Sequence, residues 1–243
     1  MTYQFSLKSS FELNVEKKLF SSTQYLADQP INACIGLDDT AQFGALPKIN
    51  RNAIEKAIEL GIFLKCNIAK TLLFERKLSL DPCCIKGYLL SQKQKPLLKN
   101  GIFFTSEKKM IEFEFLCLEE KQGVIENSIL NLNESGRALI VYKTKPSFHS
   151  FREIALFFDD FTKALKERAL IHPSFSQKNN LFSFFFKQKE HPEREKMIKN
   201  VYVNDLVNHE TSHLESLLLN SASANEEIYL TEPDLPEIKN TLL

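Results

Sequence analysis

Glycine is scarce in this chain. There are 7 Gly in 243 residues, against 20 Phe and no Trp. Glycine is what lets a backbone take positive φ or approach a ligand closely. A chain this poor in it has little material for loops that cradle phosphates. No G-x-x-x-x-G-K-[ST] and no G-x-G-x-x-G string occurs, so the standard nucleotide-loop fingerprints are excluded.

The rest of the composition is that of a folded protein, 43% hydrophobic and 26% charged. That suffices for one large domain or two small ones and excludes wholly disordered, collagen-like and disulfide-framework chains. No apolar run approaches the length of a membrane span, so no membrane partner is expected. The opening MTYQFSLKSS lacks a basic-then-apolar leader, so a cytoplasmic location is the default expectation. The 31 basic and 31 acidic side chains cancel, which excludes a global field for nucleic acid. Residues 1–110 carry 16 Lys/Arg and 10 Asp/Glu, and the remainder carries the opposite excess. Cys34, Cys66, Cys83, Cys84 and Cys117 include no C-x-x-C pair and read as reduced thiols.

Tyr3–Leu7 and Phe11–Val15 read as two short strands, and residues 28–50 as a loop-rich stretch. Asn50 can cap a helix carrying Ile54, Ala57, Ile58, Gly61 and Ile62 on one face. Ile111, Phe113, Phe115 and Cys117 alternate with more polar residues, as in a strand with one polar side, and Ala138–Tyr142 is a second strand. Ser150 and Glu153 form an S-x-x-E capping box before a helix over 151–169. Leu181–Phe186 is a strand candidate between lysines, and another helix is expected over 203–219. From Asn220 the chain carries five acids and one Lys and reads as a mobile or loosely docked tail.

His209-Glu210-Thr211-Ser212-His213 matches H-E-x-x-H. On a helix its two imidazoles share a face and could hold Zn²⁺. A third ligand would have to come from Glu226, Glu227 or Glu232. The plainer reading is a surface helix whose core face is Leu206, Leu214, Leu217 and Leu218, and no metal is expected.

From residue 44 an ordered series of short blocks emerges. Gly44-Ala45-Leu46-Pro47 precedes the Asn50 helix; then come Phe74-Glu75-Arg76-Lys77, Pro82, Lys86-Gly87-Tyr88, Ser91-Gln92, Pro96 and Asn100-Gly101. Lys18-Leu19-Phe20-Ser21 lies upstream. Leu118-Glu119-Glu120, Gly123, Asn133, Gly136, Pro146 and Ile198-Lys199-Asn200 lie downstream. The series resembles the GatB family, the B subunit of the aspartyl/glutamyl-tRNA amidotransferase, over about residues 3–218.

The resemblance implies an α+β cradle domain over residues 1–218, with a mixed or antiparallel sheet flanked by helices. Residues 219–243 would form an acidic tail. In the family this domain binds ATP and Mg²⁺, phosphorylates the misacylated residue on tRNA and amidates it. The helical and tail domains that follow the cradle are not expected in this chain.

Transfer of the family's acids onto this sequence breaks down. Its G-L-E-x-H Glu and His fall on Lys8 and Ser10, and the Asp of L-E-E-D-A-G on Lys121. The two Glu and the Asp of its P-L-L-E-I-V-S-E-P-D segment fall on Val141, Lys145 and Ser147. Glu119 and Glu120 survive. A later R-x-D-x-N strand falls near Leu181–Phe186, where neither Arg nor Asp remains, and only Cys34 is left of an early cysteine pair. A lysine in place of a carboxylate opposes Mg²⁺ rather than merely weakening its site.

The expectation is therefore a noncatalytic relative, a binding or regulatory module with no cofactor. An amidase-type (GatA-like) or GatC-like subunit would be its partner, and tRNA binding would be weak or absent. Arg76, Lys77, Lys86, Tyr88, Ser91 and Gln92, the remnant of a substrate-binding block, would contact an amidase-type subunit or RNA, or support the fold. The alternative is an active amidotransferase component using Mg²⁺ and ATP through Glu119 and Glu120. A weaker third idea is an RNA binder using Lys93, Lys95 and Lys99.

Overall fold

The computed structural model describes residues 3–26, 28–40, 42, 44–171, 175, 181–188, 191–202, 227–232, 235 and 237–240. Tyr3–Glu12 is one ten-residue strand, β1, not two. Phe5, Leu7, Ser9 and Phe11 are buried on one side, with the less buried Lys8, Ser10 and Glu12 on the other. The polar Lys8-Ser9-Ser10 stretch resembles a break in the sequence. All three residues pair with residues 141–143, and Lys8 is paired on both sides, facing Lys143 across one edge and Ser183 across the other.

The loop that follows contains a 3-10 turn at Leu37–Thr40. It is pinned by a buried ion pair, Lys18 Nζ to Asp39 Oδ2 at 2.6 Å, and Asp39 also accepts from the Gly36 N–H at 2.7 Å. Gly136 crosses here with φ +79, and a Cβ on it would sit 2.8 Å from Asp39 Oδ1. Only glycine fits both the turn and the approach.

Helix α1 (Arg51–Phe63) starts where the Asn50 side chain accepts from the Asn52 N–H. Its buried face is Ala53, Ile54, Ala57, Ile58, Leu60 and Gly61, whereas Ile62 is 67% exposed. Short strands follow: β2 (Asn67–Ile68), β3 (Thr71–Leu72), β4 (Glu75–Leu78), β5 (Tyr88–Ser91), β6 (Leu98–Lys99) and β7 (Ile102–Phe104). Next come the long β8 (Met110–Glu120), the hairpin of β9 (Val124–Glu126) and β10 (Ile129–Asn131), and β11 (Ala138–Thr144).

Helix α2 (Phe151–Glu167) begins with the Ser150 hydroxyl accepting from the Glu153 N–H. The reciprocal arm of the box is displaced by one residue, since Glu153 accepts from the His149 N–H at 2.6 Å. Beyond it lie β12 (Leu181–Gln188), β13 (His191–Tyr202), β14 (Tyr229–Thr231) and β15 (Ile238–Lys239). The helix expected over 203–219, with the H-E-x-x-H string, lies outside the described residues.

The main sheet runs β13-β12-β1-β11-β8-β5-β4-β14, and every pairing along it is antiparallel. Both helices join one hydrophobic core with one side of this sheet. Its centre is aromatic: Phe161 stacks on Phe157 at 5.2 Å and meets Phe11, Phe103, Phe113 and Tyr142 edge-on or tilted. An α+β fold with an antiparallel sheet and, among the described residues, two helices is thus what the residues build.

In β8 the ladder to β11 slips between Phe113 and Phe115. Phe113 joins the core while Phe115 and Cys117 turn to the opposite side, and Leu116 and Leu118 take their place in the core. Simple alternation does not anticipate this bulge.

Residues 227–240 do not behave as free chain where they are described. Tyr229–Thr231 extends the sheet beside β4, and Ile238–Lys239 pairs with β3. Glu232 is buried in a two-bond contact with Arg76, at 2.7 and 2.9 Å. Of the acids described there, Glu227 and Glu237 pair with lysines and Glu232 with Arg76.

Candidate functional site

Directly paired residues in an antiparallel sheet point to the same side. Three rows therefore cross the face away from the aromatic core. One is Ser10, Val141, Cys117; the next is Lys8, Lys143, Phe115; the third is Glu12, Leu139, Glu119 and Ser91. Positions 8, 10 and 141, to which the resemblance assigns two carboxylates and an imidazole, are immediate neighbours beside Glu119. They carry an ammonium, a hydroxyl and an isopropyl group. Val141, Phe115 and Cys117 form a small apolar cluster. Burial pushes the Cys117 thiol up to about 12, so it stays protonated at neutral pH.

Lysines dominate the charge on this face. Lys77 Nζ lies 3.1 Å from Glu119 Oε1, and the Ser91 hydroxyl donates to Glu119 Oε2 at 2.8 Å. Glu227, just before β14, reaches over the face. Lys8 Nζ contacts both of its oxygens at 3.2 Å, Lys77 Nζ lies at 3.2 Å and Lys93 Nζ at 3.9 Å. The Tyr229 hydroxyl donates to Glu227 Oε2 at 2.8 Å. Burial would raise the Glu227 carboxyl, but Lys77, Lys8 and this hydroxyl outweigh it and hold it at about 2. Burial would lower the Lys77 ammonium, but Glu119 and Glu227 keep it above its ordinary value. Lys93 is held below its ordinary value by burial and by Lys8. Lys143 Nζ sits 4.9 Å from the Phe185 ring, so the phenylalanine-rich β12 does border this face.

The other degenerate positions stand apart. Lys121 bonds Glu12 at 3.1 Å and also pairs with Glu134, at the end of β8. Lys145 pairs with Glu112 at 2.6 Å at the opposite end. Ser147 lies in the turn after β11, its N–H bonded to the Phe5 carbonyl.

The two surviving acids do not converge. Adjacent strand residues face opposite ways. Glu119 meets Lys77 and Ser91, whereas Glu120 accepts from Lys86 Nζ at 2.7 and 2.8 Å and from the Leu90 N–H at 2.9 Å. Each is neutralised by its own lysine. The two-acid metal site required by the active-enzyme alternative is not formed by this pair.

The kept block is likewise engaged within the chain. Arg76 holds Glu232 and lies 4.5 Å over the Tyr88 ring, with Lys86 Nζ 5.3 Å from the same ring. Gln92 is fully buried and accepts from the Leu118 N–H. The lysines considered for RNA diverge too: Lys93 faces Glu227, and Lys95 pairs with Glu237 at 2.5 Å. Of the carboxylates considered as third zinc ligands, Glu227 and Glu232 are committed to lysines and to Arg76.

A magnesium-bound nucleotide does not fit this donor set. Divalent magnesium takes hard oxygen ligands, carboxylates above all. The patch of Lys8, Ser10 and Val141 offers one hydroxyl and a positive charge, and neighbouring Glu119 is spent on Lys77. Sequence reasoning missed Lys143, Glu227 and Tyr229 as part of the face. Their place depends on the fold bringing residue 227 back to residue 8.

The geometry defines an α+β domain with one antiparallel sheet, one side filled by rings and helices and the other lined by lysines. The chain belongs to the GatB/GatE catalytic domain family, whose model matches residues 7–179. The resemblance read from the sequence ran further, to about residue 218. Among similar proteins is the B subunit of the aspartyl/glutamyl-tRNA(Asn/Gln) amidotransferase of Wolbachia sp. subsp. Brugia malayi. It is 33% identical over 161 residues, 64% of this chain and 33% of that protein. Its counterpart from Variovorax paradoxus is 35% identical over 153 residues, 58% of this chain and 32% of its own length. The counterpart from Geobacillus thermodenitrificans is 33% identical over 155 residues, 60% and 33% of the two chains. The match thus spans about a third of each relative. Among the described residues no helix is long and apolar enough to cross a membrane.

Proposed function

We propose that this chain is a noncatalytic member of the family, a binding or regulatory module related to the amidotransferase's B subunit. One observation carries the reading. Of the six positions at which the resemblance implies acids or an imidazole, three, Lys8, Ser10 and Val141, are neighbours on one sheet face, while Lys121, Lys145 and Ser147 lie elsewhere. The contiguity of those three supports the register of β1 against β11, and that register carries the reading of lost charge.

The partner that fits is the one implied by the relatives' name, an amidotransferase assembly, through an amidase-type (GatA-like) or GatC-like subunit. Transfer RNA binding is weak or absent in this reading, and no cofactor is required. A cytoplasmic location is part of the same reading.

The test is reconstitution with an amidase-type and a GatC-like subunit from the same cell. The chain is expected to co-purify with one of them and to give no ATP-dependent conversion of Glu-tRNA(Gln) to Gln-tRNA(Gln). Such conversion, lost on Glu119→Ala, would overturn the proposal. So would a failure to associate with either subunit.

A further inference from the structure

Glu227 is bound by this face as a ligand would be. One oxygen receives Lys8 and Lys77, the other receives Lys8 and the Tyr229 hydroxyl, and Lys93 stands 3.9 Å away. A carboxylate has about four lone-pair sites, and here four donor contacts fill them. The donors come from four separate segments: β1, β4, the residue after the β5–Gln92 stretch, and β14. Among the described residues Glu227 is the carboxylate with which Lys8 and Lys93 pair. Without it, two ammonium groups would lose their partner, and the third, Lys77, would be left with Glu119 alone. Three converging ammonium groups and a phenol suit an oxyanion, and a phosphate offers more acceptor oxygens and more charge than a carboxylate.

We propose that Lys8, Lys77, Lys93 and the Tyr229 hydroxyl form an oxyanion-binding site, filled by the chain's own Glu227, for which inorganic phosphate competes. The site needs no metal, because the lysines supply the positive charge. It goes beyond the noncatalytic reading and does not depend on it. The internal carboxylate holds the site mostly closed, so the apparent affinity for a free anion is reduced by the fraction of time the site is open. Part of the binding is screened by salt, since the carboxylate and the lysines are only partly buried.

The experiment is a calorimetric titration of the full chain with inorganic phosphate, at low ionic strength and without magnesium. Wild type, Glu227→Gln and Lys8→Met/Glu227→Gln are compared, each checked for a native thermal transition. Glu227→Gln is expected to bind phosphate about tenfold more tightly than wild type, about 1.4 kcal/mol, the scale of one charge-assisted hydrogen bond's worth of competition. The double variant is expected to lose most of that gain. A Tyr229→Phe variant, which keeps every charge but removes a donor from phosphate and carboxylate alike, should show no gain, and a gain as large as that of Glu227→Gln would overturn the proposal. Equal affinity in wild type and Glu227→Gln, no binding by Glu227→Gln, or full affinity in the double variant would each overturn the proposal. Amidation by the reconstituted assembly would overturn the noncatalytic reading and leave the phosphate result unchanged, so the two failures are separable.

Discussion

Glu120 decides whether the surviving L-E-E block is catalytic residue or scaffold, and its removal can be worked through in advance. Its side chain is 3% exposed and that of Lys86 is 6% exposed. Two contacts at 2.7 and 2.8 Å join them, and the Leu90 N–H donates to the same carboxylate. Glu120→Ala strands the Lys86 ammonium and leaves a buried backbone donor without its acceptor. Breaking a buried pair from one side costs about 3–5 kcal/mol. Lys86 has a long stem and can swing toward water, so the lower end, about 3 kcal/mol, is expected. For a chain of this size that lowers Tm by roughly 6–12 °C. Glu120→Gln keeps an oxygen for Leu90 and should recover about 1 kcal/mol of the loss. The assay is urea denaturation followed by circular dichroism, with thermal melts alongside. Destabilisation below about 1 kcal/mol for Glu120→Ala would refute the assignment of Glu120 to the scaffold.

Three further outcomes are expected. The Glu227 carboxyl is held at about 2, below its ordinary 4.5, so the unfolded chain binds more protons between those values. The stability it lends is present above pH 4.5 and is lost as pH falls toward 2; the protection of the Tyr229–Thr231 amides, taken relative to their intrinsic exchange rates, should fall over that window, and unchanged protection would contradict the contact. Phe161→Ala, at the centre of the ring cluster, should cost about 3–5 kcal/mol in the same denaturation assay, whereas Ile62→Ala on the exposed side of α1 should cost under about 1 kcal/mol. Cys34, Cys84 and Cys117 are buried and should resist a thiol reagent at about pH 8 until the chain unfolds, while the less buried Cys83 reacts first.

Much of the scaffold was legible because it rests on local rules. The Asn50 and Ser150 caps and the apolar spacing of the two helices follow from side chains a few residues apart. So does the strand character of Ala138–Tyr142 and Leu181–Phe186. The misses have physical causes. A polar strand paired on both edges looks like a break, so local pattern divides β1 in two. A bulge moves Phe115 and Cys117 off the core without altering the local apolar count. β13 carries Pro192 and five charged residues among twelve, the composition of a loop, and it lies at the end of the sheet order. The lysine-lined face was half legible. Lys8, Ser10, Glu119 and Val141 could be placed by resemblance, but Glu227 and Tyr229 could not. The contact of Glu227 with Lys8 closes a separation of 219 residues, which no local pattern encodes.

The charge reversal on the sheet face is tested most directly by calorimetry of the full chain with ATP and MgCl₂, repeated with MnCl₂. No metal-dependent nucleotide complex is expected at micromolar concentrations. A saturable micromolar complex that requires the divalent ion and weakens on Glu119→Gln would contradict the loss of the metal site.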